Sequence, residues 1–291
     1  MRGIAVLFAI EPDLTTSTLI GAGRVVLIVE YKGTAYHGWQ IQQPGVPSIE
    51  ACVQHAVSLV ADETVNLTCA GRTDAGVHAS HQVVHFDTRV VRSARAWILG
   101  VNARLPDDIR ILWAGTAQPE FDARFSALYR RYRYIMYSHP IPPGLIRDQV
   151  TWVRHPLCAK RMHDAAQALL GERDFSAFRA SGCQSRTPWR NVHRAQVYTQ
   201  GPFVVLDIQA NAFLHHMVRN ITGSLLRVGS GEAPQDWIAE LMDARDRRLA
   251  APTAPANGLY LVDVGYPEHF GMPKAPPGPL WLGRSEMSTP A

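Results

Sequence analysis

Gly71-Arg72-Thr73-Asp74-Ala75-Gly76-Val77-His78-Ala79 lies between two apolar runs. Val65-Asn66-Leu67-Thr68-Cys69-Ala70 precedes it and His81-Gln82-Val83-Val84-His85-Phe86 follows. These runs read as strands over about 65–70 and 81–87. What separates them is a short Gly-bounded loop with one carboxylate, Asp74, and a guanidinium two residues upstream, Arg72. A loop held between two strands is where a rigid scaffold presents a reactive group. Asp and Gly are also ordinary turn residues, and Asp often bonds its own backbone two residues on. On types and spacing alone a plain turn is the commoner reading.

Working outward, Val25 to Tyr31 reads as a strand. Ser48 is placed to cap a helix on which Ile49, Cys52, Val53, Ala56, Val57 and Val60 recur at helical spacing. After the loop and its strands, Ser93 opens a second helix with Ala96, Trp97, Gly100 and Val101 on one face, and Ile109 to Ala114 is strand-like. The second half has strands at 128–138, 192–199, 203–210 and 259–264, and helices marked by Met162 to Leu170 and Leu214 to Leu225. A short helix near 234–243 interrupts it. Each half therefore reads β-α-β-β-α-β, the split βαβ order, with no repeat at residue level. The expected fold is α+β, two such lobes with their sheets side by side and a cleft between them. The N-terminal lobe, 24–117, carries the Asp74 loop, and the C-terminal lobe is 118–270. Residues 1–23 read as an irregular extension and 271–291 as a Pro-rich tail, loose by default.

The composition, 46% hydrophobic and 19% charged over 291 residues, is that of a globular protein and excludes disorder. The formal charge of +4 suits an acidic partner. Only Lys32, Lys160 and Lys274 of the 29 basic residues are lysines. Arginine offers a planar fork for phosphate and a flat face for bases. Cys52, Cys69, Cys158 and Cys183 form no C-x-x-C pair, which fits reduced thiols and the cytoplasm. Ile4 to Ile10 loosely matches a signal-peptide core but is cut short by Glu11, Pro12 and Asp13. No run approaches a membrane span.

Four segments carry candidate chemistry. A free aspartate is an anion at neutral pH, so this residue type needs no adjacent base to act as a nucleophile, which makes Asp74 a candidate; Arg72 could hold that carboxylate or grip a phosphate. In Arg124-Phe125-Ser126-Ala127-Leu128-Tyr129-Arg130-Arg131-Tyr132-Arg133-Tyr134, arginine and tyrosine interleave. On a strand Tyr132 and Tyr134 share one face, Arg131 and Arg133 the other. This reads either as a stacking and phosphate-binding surface or as a half-buried strand with a solvated basic face. Cys183 to Asn191 brings Arg186, Arg190 and Trp189, for RNA backbone contacts or for packing the Trp inward. Asn211 to Asn220 places His215 and Arg219 one helical turn apart, facing one groove or a core. No metal is expected: His78, His81 and His85 match no zinc motif, and no phosphate-binding Gly loop occurs.

Taken together, Glu30 to Gln40, Cys69 to Ala79, Phe121 to Tyr137, Gln184 to Asn191, Asn211 to Gly223 and Gly258 to Leu261, in this order, resemble the tRNA pseudouridine synthase A family. Lys32 departs from it, standing where the family usually has Asp. The resemblance implies two ferredoxin-like lobes around a basic cleft, a cytoplasmic homodimer, tRNA as partner, and no cofactor or metal. It implies an isomerase that converts uridine to pseudouridine at positions thirty-eight to forty of the anticodon stem-loop. Asp74 matches the nucleophile, Arg72 the residue that helps open the base, and Tyr132 the ring that stacks on uracil. Arg124, Arg131, Arg186, Arg190, His215 and Arg219 are the expected substrate contacts. Attack at C1′, action through C6 and a glycal route all remain open. The competing readings are an RNA-binding module without chemistry, against which no RNP1 pattern occurs, and a hydrolase pairing Asp74 with Glu30 or Asp122.

Overall fold

The computed structural model describes residues 19–274 and 277–283. The signal-like run 4–10 lies outside the described residues. The first half contains β1 (Leu19–Tyr31), α1 (Ile49–Ala61), β2 (Thr68–Cys69), β3 (His78–Ser93) and β4 (Ile109–Ala117), with a π-helical turn at Ala96–Gly100. The second contains β5 (Tyr129–Ser138), β6 (Thr151–Val153), α2 (Ala159–Ala166), β7 (Gly171–Asp174), β8 (Trp189–Gln200), β9 (Phe203–Ala210), α3 (Met217–Ser230), α4 (Trp237–Ala244) and β10 (Leu259–Gly265).

Sequence periodicity accounts for the main elements. Ser48 caps α1, its Oγ accepting the Ala51 N–H, and Ile49, Val53, Ala56, Val57 and Ala61 form the buried stripe. In β1, Val25 to Val29 are all buried, as a strand paired on both edges and covered on both faces requires. The strand starts earlier than expected because β3 runs on to Ser93 and keeps pairing with Leu19 to Gly21. Gly21-Ala22-Gly23 is a bulge within this ladder, not part of an irregular extension.

The expected pair of sheets is one sheet of ten strands. Its main path runs β4-β1-β3-β10-β5-β9-β8-β7, with β2 on β3 and β6 on β5. The halves join through a short parallel pairing, Tyr260 with His78 and Leu261 with Ala79. On its other edge β10 sets Leu261 opposite Tyr132. The strand that leaves the Asp74 loop is thus two strands away from the one bearing Tyr132.

The helices pack on the face of β5 that bears Tyr132, Tyr134 and Met136. The opposite face carries a smaller cluster of Ile135, Val150, Val205, Tyr260, Val262 and Leu282. Leu282 shows that the Pro-rich tail is docked rather than loose where it is described. The carbonyls of Pro277 and Gly278 accept from Arg133 Nη1 at 2.7 and 3.0 Å, and Trp281 packs on Phe203 and Tyr260. No helix among the described residues is long and apolar enough to cross a membrane.

Candidate active site

The Asp74 loop is fixed by its backbone and left open at its side chain. Val77 N–H closes a turn on Asp74 O at 3.1 Å, and Gly76 supplies the positive φ (77°) that the turn needs. The 36–39 segment lies against the loop: Trp39 N–H donates to Thr73 O at 3.0 Å and Gly76 N–H to Tyr36 O at 3.2 Å. Gly38 permits this approach, because a Cβ there would stand 2.5 Å from Thr73 O. Underneath, Tyr31 Oη and Thr73 Oγ1 are 2.8 Å apart, and buried Gln82 donates to Gly71 O at 2.6 Å.

Arg130 ties this loop to the second half. Its Nε and Nη2 donate to Ala70 O at 3.1 and 2.7 Å, and its Nη1 reaches Asn211 O at 3.1 Å. It also donates to the carbonyls of Ala127 and Arg124. One guanidinium therefore holds the segment before Asp74, the Arg124 turn and the segment leading to His215. Desolvation lowers its pKa from the ordinary arginine value.

Around the Asp74 carboxylate stand three basic groups from the start of α3. Arg219 Nη1 is 3.2 Å from Oδ2 and donates to it, while Arg219 Nε is anchored on Ala254 O at 2.9 Å. His216 Nε2 lies 3.4 Å from Oδ2 and His215 Nε2 3.6 Å from Oδ1. The two rings are 3.9 Å apart. His216 has a left-handed backbone (φ 61°), which turns its ring beside that of His215 before the helix begins. Burial pushes the His216 imidazole below its ordinary value, against the pull of Asp74. The sequence pairs His215 with Arg219 correctly but passes over His216, whose signal is its place three residues before Arg219.

Tyr132 is buried and its ring meets Phe213 edge-on at 5.1 Å. Its Oη lies 3.8 Å from where a Cβ on Gly71 would be, so it adjoins the loop. Burial raises its hydroxyl above the usual phenol value. Arg72 is exposed and makes no hydrogen bond or ion pair among the described residues. It does not hold Asp74; Arg219 does.

The remaining expected contacts divide. Arg124 is exposed, its guanidinium 5.3 Å over the Phe125 ring, and Arg186 is exposed. Arg131 is not brought to the site: it faces the other side of β5 and forms a two-toothed pair with Asp207, both contacts 2.7 Å. Arg190 braces its own loop, donating to Thr187 O at 3.0 Å and to Ser185 Oγ. That loop docks beside the site, since Cys183 Sγ accepts the His215 N–H at 3.4 Å. Burial alone would raise the Cys183 thiol, but the N–H groups of His215 and Ser185 and nearby Arg179 outweigh it and hold it below the ordinary value. Trp189 does not pack inward; it is half exposed. Lys32, the residue that departs from the family pattern, pairs with Asp148.

His78, His81 and His85 do not converge on a ligand. His78 Nδ1 accepts the Gly33 N–H at 3.0 Å while its Nε2 faces the carbonyls of Asp148 and Asn257, and His85 Nδ1 accepts from Ala123. Among the described residues the group with metal-ligand spacing is instead Asp74, His215 and His216. Glu30 is absent from this cluster, and Asp122 caps the turn at Arg124 and Phe125, so neither forms a carboxylate pair with Asp74.

The chain is similar to known proteins over most of its length. A family model described as tRNA pseudouridine synthase matches residues 27–126 and 165–267. A protein of Shewanella amazonensis named tRNA pseudouridine synthase A is 56% identical over 259 residues, 89% of this chain and 99% of that one. One of Salmonella newport with the same name is 57% identical over 259 residues, 89% of this chain and 96% of that one. A solved structure described as a Cbf5-Nop10-Gar1 complex aligns at 11% identity and a TM-score of 0.30, over 81% of this chain and 57% of that one, a likeness too slight to support an assignment.

Proposed function

Because the chain belongs to the tRNA pseudouridine synthase family, we propose that it isomerises uridine to pseudouridine in tRNA, at positions thirty-eight to forty of the anticodon stem-loop, with Asp74 as nucleophile. The observation that carries this reading is the Asp74 carboxylate itself. It is one-quarter exposed, aimed by a rigid loop, and held end-on by a single arginine that leaves room for a second partner.

The reaction breaks the C1′–N1 bond, turns the uracil and joins C5 to C1′; the proton leaves C5 and N1 gains one, so nothing is added. A carboxylate oriented by Arg219 serves each of the three routes, by bonding C1′, by bonding C6 or by taking a proton on the way to a glycal. A stacked base must first leave the helix, at a cost of a few kcal/mol. Arg72, exposed and unengaged, inserts where the base departs, and Tyr132 stacks on the uracil after a small opening away from Phe213. Arg124, Arg186 and His215 meet the RNA. Arg131 and Arg190 act as scaffold.

Two ferredoxin-like lobes, about 24–117 and 118–270, are supported by strand orders β4-β1-β3-β2 and β10-β5-β9-β8. The basic cleft lies where they meet, along Arg72, Arg124 and Arg186. The enzyme acts in the cytoplasm, as a homodimer and without a cofactor; free thiols at all four cysteines agree with that compartment.

Pseudouridine mapping in total tRNA from a deletion strain tests the substrate. Loss confined to the anticodon stem-loop is expected, and unchanged stem-loops would remove the assignment. Chemical labelling is required, because the isomerisation leaves the mass unchanged. Free uracil released from unmodified tRNA would favour a hydrolase.

A further inference from the structure

Asp74, His215 and His216 share a property that the isomerisation does not use. One ring nitrogen of His215, one of His216 and a carboxylate oxygen of Asp74 all lie within 4.8 Å of one another. Zinc binds His nitrogen and Asp oxygen at about 2.0–2.2 Å, and tetrahedral angles then set neighbouring ligand atoms about 3.3 Å apart. The nitrogen–oxygen separations here are close to that, 3.6 Å from His215 Nε2 to Oδ1 and 3.4 Å from His216 Nε2 to Oδ2, each ring facing its own oxygen of the one carboxylate. The side-by-side rings direct both Nε2 atoms at the same carboxylate. All three side chains are partly exposed, so an ion has a way in and a fourth position stays open to water.

We propose that Asp74, His215 and His216 form a binding site for a zinc-class divalent cation, and that its occupancy shuts the enzyme off. The ion is an inhibitor, not a cofactor, because it ties up the carboxylate oxygen that must meet the uridine. Arg219 sets the strength of the site. Its guanidinium is anchored on Ala254 O and remains at Oδ2, so the ion shares the carboxylate with a fixed positive charge. Binding is therefore weaker and more easily reversed than at a structural zinc site. Magnesium is discriminated against, since it prefers an all-oxygen octahedron to imidazole. The binding half stands on geometry alone; the inhibitory half rests on the reading of Asp74 as nucleophile.

The test is titration of the full-length protein with Co²⁺ in the absence of tRNA, followed by visible absorption. Tetrahedral bands saturating at one ion per chain, and abolished by Zn²⁺, are expected. Zn²⁺ should inhibit pseudouridine formation with a matching midpoint, reversed by chelator. His215→Gln and His216→Asn, the latter suited to the left-handed backbone, should each weaken Co²⁺ binding at least tenfold, as should Asp74→Asn. Cys183→Ser should keep the bands. Circular dichroism and melting checks establish that each variant is folded. Absence of bands, or bands unchanged in the folded double-histidine variant, overturns the site. Bands with full activity at saturating Zn²⁺ overturn the inhibitory role alone; the reading of Asp74 as the reacting group fails separately, if metal-free Asp74→Asn still forms pseudouridine.

Discussion

Asp74 and Asp207 are each surrounded by three basic side chains, yet they are opposite kinds of carboxylate. Asp207, on β9, faces Arg131, Arg133 and Arg194, with nitrogen–oxygen distances of 2.7, 3.3 and 3.5 Å. Its side chain is 1% exposed, against 25% for Asp74. All three of its partners are arginines, which stay charged at any ordinary pH, and one grips both oxygens. Asp74 has one arginine, end-on, and two imidazoles at longer range. A buried charge must be saturated by partners to exist at all. A reactive one must be oriented while keeping an oxygen free. The number of basic neighbours therefore does not set the two carboxylates apart; their kind, and access for water, do.

The largest contrast comes from replacing each acid by its amide. Asp74→Asn should cost roughly 10⁴-fold or more in the rate of pseudouridine formation, with tRNA binding retained and the urea midpoint nearly unchanged. Single-turnover labelling and a melt read both quantities; retained product formation would sink the nucleophile assignment. Asp207→Asn should do the reverse. Three arginines are left without their counter-ion, at a cost of about 3–5 kcal/mol of stability, while the surviving folded protein keeps its activity per molecule. A small stability loss would show that the arginines find water when Asp207 is neutralised.

Acid should distinguish the arginine cluster from the histidines. Burial lowers the His78 pKa from its ordinary value of 6.5 to about 4. As pH falls through that window, the unfolded chain takes up a proton that the folded chain refuses. Stability then drops by about 1.4 kcal/mol per pH unit from this residue and levels off below pH 4. Burial depresses His81 and His85 in the same direction. Urea melts at stepped pH read the slope, and His78→Asn should flatten it even though the variant starts less stable.

The smallest effect is expected at Arg130, which touches neither acid and positions one of them. Arg130→Gln should lower kcat by about 10- to 100-fold, the scale of a displacement near 1 Å, and leave KM within a few-fold. Partial rescue by Arg130→Lys is expected, since a single ammonium can hold Ala70 O but not Asn211 O as well. A raised KM with kcat unchanged would mean that Arg130 binds RNA instead of positioning the loop.

The sequence by itself determined most of the local elements and singled out the motif proposed as reactive. Periodicity located α1, α3 and the long strands, because burial of a single stripe or face is written into neighbouring residues. The resemblance singled out Asp74, Arg72 and Tyr132 together. The alternation of β5 already put Arg131 on the face away from Tyr132, but nothing local said which face met the site, or that Asp207 on the neighbouring β9 would pair with it. Only the tertiary structure decided that the two halves make one sheet, through the parallel contact of β10 with β3. It also decided that Arg219, not Arg72, holds Asp74, and that His216 joins His215 there. These are contacts between residues more than a hundred positions apart. Their strength depends on distance, burial and the direction of a side chain, and spacing along the chain carries none of those quantities.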